Sequence, residues 1–159
     1  GQLLFPYDVA WARAFRADDS RGLAARGEQL VVADCGNKRV QVFGVDGSYS
    51  RAMPLGEKSF AVAVDVSGNI LASTPTHLKV FSPQGLLMRE GHQKQAVHAH
   101  HDLMHDRLGG LKLYSSSPGG LAIDPSSGRI AVGDQGLGRV RLLRGARATR
   151  ENWTLDMKI

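Results

Sequence analysis

Cysteine is almost missing from this chain. Cys35 stands alone among 159 residues, so no disulfide can form within it. A lone cysteine leans the expected compartment toward the reducing cytoplasm. It lies in the turn "DCGN", where a small side chain fits, and the sequence places no activating base beside it. Long apolar runs are missing too, and a membrane-spanning helix needs roughly 18 such residues. The start "GQLLFPYDVA" has no basic stretch followed by a long apolar one, so no secretory leader is read there. It also has no initial Met, so the chain reads as a piece of a longer protein. Aromatic residues are only 6%, and Trp11, Tyr49 and Trp153 are scattered, which argues against a surface for stacking nucleic-acid bases.

What is present is glycine (19 residues) and many short apolar runs, with 42% hydrophobic and 22% charged residues. That balance is globular rather than disordered, and short runs broken by turns favour an all-β fold. The net charge of +5 is mildly basic and allows an acidic or nucleic-acid partner.

One pattern is written three times: "LVVADCGNKRVQVFGVDG" from Leu30, "ILASTPTHLKVFSPQG" from Ile70 and "IAVGDQGLGRVRLLRG" from Ile130. Leu30 and Ile70 are 40 positions apart, and Ile70 and Ile130 are 60 apart. A period of about 40 with several strands per repeat is the mark of propeller blades. Each copy is preceded by another short run, so inner strands are expected at Asp8 to Trp11, Ala61 to Val64 and Gly120 to Ile123. The small residues Ala10, Ala61, Ala63, Gly120 and Ala122 suit crowding of neighbouring backbones. "DVSGN" and "DPSSGR" follow as hairpin turns with glycine at positive φ.

The second strand ends at Asp34 or Asp134, whose carboxylate is expected to cap the next loop as an Asx-turn, with Ser73 as the weaker counterpart. In the third strand Val40 and Val42 alternate with Arg39 and Gln41, as Val140 and Leu142 do with Arg139 and Arg141. Period two reads as a half-exposed strand. "GVDG" or "SPQG" closes it before a fourth strand. A four-stranded blade buries little alone, so the repeats are expected to stack on one another.

These residues resemble the NHL repeat. "VVADCGNKRVQVFGVDG" is similar to its run of apolar strand, Asp, Gly-Asn turn, Arg-Val, Phe and Gly, and "PGGLAIDPSSGRIAVGDQGLGRVRLL" is similar over half a blade. The second copy lacks the Asp and the Gly-Asn turn and is two residues shorter. "GQLLFPYDVAWA" is similar to a junction between blades, with "GQLLF" expected as an outer fourth strand. The resemblance implies a β-propeller segment of about three four-stranded antiparallel blades, half of a six-bladed ring. The blades are placed at about 5–57, 58–90 and 118–159, with an insertion at 91–117. It also implies a scaffold for protein or RNA partners, and open blade faces through which copies of the chain could self-associate.

The insertion 91–117 holds His92, His98, His100, His101 and His105. On a helix, His98, His101, Asp102 and His105 would share one face, a workable transition-metal arrangement. No Glu sits between the His pair as in a metalloprotease helix, and a polar loop is the plainer reading. The insertion Arg13 to Gly27 reads as a surface loop or short helix. Arg139, Arg141, Arg144, Arg147 and Arg150 form the densest basic cluster; the first two follow the repeat, and the last three are the better phosphate contacts. No nucleophile elbow, P-loop or paired-cysteine zinc pattern is present, so no catalytic, cofactor or metal residue is assigned and the chain is expected not to be an enzyme. The resemblance extends to the zinc-dependent lyase that completes peptide amidation, but its metal motif has no match here residue by residue. The expected function is therefore a propeller scaffold for protein binding. An RNA-binding module and a propeller-type lyase or hydrolase fragment are the alternatives.

Overall fold

The structure is a computed structural model, and it describes residues 2–12, 28–75, 77–90, 118–134, 139–144 and 154–158. The two insertions, Arg13 to Gly27 and 91–117 with its five histidines, lie outside the described residues, as do Arg147 and Arg150. The side chains of Asp134, Arg139, Arg141 and Arg144 also lie outside them.

The described residues form twelve strands and no helix. The first sheet holds β1 (Pro6–Ala12), β2 (Gln29–Asp34), β3 (Arg39–Gly44) and β4 (Tyr49–Pro54). The second holds β5 (Ala61–Val64), β6 (Ile70–Ser73), β7 (Leu78–Phe81) and β8 (Leu87–Glu90). The third holds β9 (Pro118–Ile123), β10 (Ile130–Asp134), β11 (Arg139–Arg144) and β12 (Thr154–Lys158). Each is a four-stranded antiparallel meander in chain order. β1 lies against β5, and β5 against β9, so the first strand of each sheet is the innermost. This is a propeller-like all-β fold, and the inner strands contain the three segments expected from sequence.

Hairpin chemistry sets the registers. Gly47, Gly68, Gly85 and Gly128 close their turns at φ between 70° and 89°, where a side chain would be strained. The Asx-turns sit in these hairpins. Asp65 Oδ1 accepts from the Ser67 and Asn69 N–H groups, and Asp46 and Asp124 accept from Ser48 and Ser126.

Side chains alternate across each strand, and the two rows of a sheet face different neighbours. Val31, Ala33, Val40, Val42 and Met53 of the first sheet pack on Val62, Ile70, Ala72 and Phe81 of the second. Leu71, Leu78 and Val80 on the other side of the second sheet pack on Ile130, Val132 and Leu143 of the third. The second sheet is thus buried on both faces, which explains why β6 and β7 carry no outward polar row. One inner-strand link crosses the first seam: the Val62 N–H donates to Asp8 Oδ2 at 2.9 Å.

Three expectations need correction. "GQLLF" is not a fourth strand: Gln2–Phe5 lies outside every sheet and leads into β1 across the β2–β3 loop. β3 is not half-exposed, because Gln41 is fully buried; a buried polar residue reads as a solvent-facing one when only period two is counted. Gly120 is not crowded, since a Cβ there would meet nothing within 4 Å.

Candidate functional site

The most organised polar group in the first sheet surrounds Asp34, at the end of β2. Its carboxylate is fully buried and accepts from four groups. The Leu4 N–H donates to Oδ1 at 2.7 Å, Asn37 Nδ2 to Oδ2 at 2.9 Å, Arg39 Nε to Oδ2 at 2.7 Å and Gln41 Nε2 to Oδ2 at 2.7 Å. Arg39 Nη2 and Asn37 Nδ2 also donate to the Gln2 carbonyl, at 2.9 and 3.1 Å. The Gly36 N–H donates to the Leu4 carbonyl at 2.8 Å. The β2–β3 loop therefore clamps the segment that leads into β1.

The local sequence explains the convergence. Arg39 is paired with Asp34 across the hairpin, and Gln41 follows it on the same face of β3. The four-residue loop, with Lys38 at a φ of 54°, turns Asn37 back toward the carboxylate. This is not the expected Asx-turn. The carboxylate takes side-chain donors and one distant backbone N–H instead of the N–H groups of its own loop.

Burial raises the proton affinity of Asp34, but the Leu4 N–H outweighs it together with Arg39, Asn37 and Gln41, and the carboxyl titrates below its usual value. A depressed folded-state pKa gives stability that is fully present above the unfolded pKa of about 3.9 and lost as pH falls through the folded value. Denaturant midpoints are therefore expected to hold above about pH 5 and to fall steeply below about pH 4, with a flatter acid limb in Asp34→Asn. Urea melts across that range check it.

The second sheet rebuilds the clamp with other residues. Strand register makes Thr74 the counterpart of Asp34, not Ser73, and pairs His77 with Arg39 and Lys79 with Gln41. Ser73 donates to the Ala61 carbonyl within the sheet. The buried Lys79 Nζ donates to the Leu55 carbonyl at 2.8 Å, and His77 Nδ1 lies 3.1 Å from Glu57 Oε1. Leu55 and Glu57 precede β5 as Gln2 and Leu4 precede β1. In the first sheet the Asp34 carboxylate, filled by four donors, has no lone pair left for proton transfer, so its part in the clamp is structural.

Cys35 is a buried residue of the same loop, and its carbonyl accepts from the Lys38 N–H. Among the described residues no group of three His, Cys, Asp or Glu side chains converges to hold a metal. No helix among them is long and apolar enough to cross a membrane. Sequence reading missed Gln41, Asn37, Thr74 and Lys79. The signal was the spacing of Asp34, Asn37, Arg39 and Gln41, which a four-residue hairpin loop folds onto one point.

A second surface gathers at the other end of the first two sheets. The β3–β4, β5–β6 and β7–β8 turns all lie at the end opposite the clamps, by the up-and-down course of each meander. The second sheet's turns touch: a Cβ on Gly68 would lie 3.3 Å from Pro83, and one on Gly85 would lie 3.4 Å from Arg51 and Met53 of the first sheet. Val45, Val66 and Leu86 are exposed on these turns, with Leu87 and Tyr49 just behind. The turns carry Asp46 and Asp65 and neither Lys nor Arg. The Ser48 hydroxyl holds Asp46 below the usual carboxylate range. In the β9–β10 turn of the third sheet, which corresponds to the β5–β6 turn, the Ser127 hydroxyl and the Ser126 groups lower Asp124 to about 2.

Comparison with known proteins bears on the family. The NHL repeat matches residues 21–43, which end in β3 and include most of the clamp. No curated protein matches the chain. Among solved structures, a protein of unknown function from Bacteroides caccae is similar at 11% identity and a TM-score of 0.47. That match covers 97% of this chain and 60% of the other, so the chain spans less than two thirds of that protein's length. The NHL-repeat match at residues 21–43 takes in Asp34, Asn37, Arg39 and Gln41 of the clamp, while its Gln2 and Leu4 lie outside the match.

Proposed function

We propose that the chain is a propeller-type scaffold that binds a protein through the rim of hairpin turns. The observation that carries this reading is the rim's composition. Val45, Val66 and Leu86 are exposed on neighbouring turns, the first two beside Asp46 and Asp65, whose carboxylates are fixed by their own Asx hydrogen bonds. An apolar centre flanked by fixed polar groups is how protein interfaces are built. Nucleic acid needs the opposite charge, because its affinity comes from Lys and Arg against phosphates. Asp46 and Asp65 would repel a phosphate backbone at their turns, and the three turns themselves hold no Lys or Arg, Arg51 of β4 being the basic side chain packed beside Gly85. In this reading the chain holds a partner and turns over no substrate; stacked sheets keep the turns still while the turns carry specificity.

The test pairs Val45→Asp with Leu86→Asp in one chain, at two exposed sites where folding should survive. Cross-linked proteins recovered on the wild-type chain are expected to fall at least about tenfold on the variant and to persist after nuclease treatment. Capture that nuclease abolishes, and that weakens steeply with salt, would move the reading to RNA. Equal capture by both chains would overturn the rim as the site.

A further inference from the structure

We draw no further inference here: the strongest candidate, the surface patch of exposed apolar side chains formed by Leu86 of the β7–β8 turn with Leu87 and Met88 of the outer strand β8, carries none, because no described strand pairs with the outer edge of β8 and nothing in the structure shows what covers it.

Discussion

Asp34→Ala is expected to destabilise the chain by about 3 to 5 kcal/mol, because several donors lose one acceptor together, at about 1 to 3 kcal/mol for each that stays buried. Asp34 gathers donors from Leu4, Asn37, Arg39 and Gln41; alanine removes the acceptor of all four, and Asn37 and Arg39 keep only the Gln2 carbonyl. They do not lose equally. Arg39 is partly exposed and can turn to water, which limits its cost. Gln41 is fully buried, and its amide would lose its hydrogen bond without gaining solvent. The Leu4 N–H lies in between, in the exposed segment that leads into β1. Asp34→Asn should cost less, because it keeps an oxygen for one or two donors while turning an N–H₂ toward the others. An Asx-turn carboxylate would cost only about 1 to 2 kcal/mol, so the size of the loss separates the two geometries. A urea midpoint for Asp34→Ala close to the wild-type value would mean that the clamp does not hold in solution.

The repeat itself was plain in the sequence, and the reason is physical. Strand spacing, inner strands and glycine turns depend on local rules: alternation, β-branched runs and positive φ. Val31, Val40, Ile70 and Ile130 fall in the core because those rules leave few other places for them. The polar clamp was not legible, although Asp34 was singled out. Its partners depend on where Gln2–Leu4 passes, and that path is fixed by tertiary packing. Counting along the chain from Ile70 reaches Thr74 as the counterpart of Asp34, yet Ser73 drew the eye because a hydroxyl next to a strand end resembles a cap. The shortening of the second copy lies between Thr74 and His77, the stretch that replaces the four residues from Cys35 to Lys38. With the loop shortened, Lys79 takes over at Gln41's position and reaches the Leu55 carbonyl directly. One mechanical task, holding the lead-in segment to the sheet, is met by a carboxylate hub in one repeat and by an ammonium in the next. No rule based on residue type would equate them.

Gly36→Ala is expected to destabilise by about 2 to 3 kcal/mol, within the range for forcing extra volume into a packed site. Gly36 is not at positive φ, so the requirement is space, not backbone conformation. An added Cβ would sit 2.6 Å from both the Leu4 carbonyl oxygen and Leu4 Cγ. The side chain could swing aside, but the carbonyl belongs to the backbone that Gly36 itself binds at 2.8 Å. Relief requires the whole lead-in segment to lift. Lifting it draws the Leu4 N–H away from Asp34 and the Gln2 carbonyl away from Arg39 and Asn37. The two substitutions therefore act on one element. In the double variant, part of what Gly36→Ala breaks has already been lost with Asp34, so the combined cost should fall short of the sum by about 1 kcal/mol or more. Gly120→Ala is the control, because a Cβ there meets nothing within 4 Å and should change stability little. Urea melts of the single variants and the pair decide it. Strict additivity of Asp34→Ala and Gly36→Ala would show that the loop and the lead-in segment are not coupled, and that the clamp is two separate contacts rather than one device.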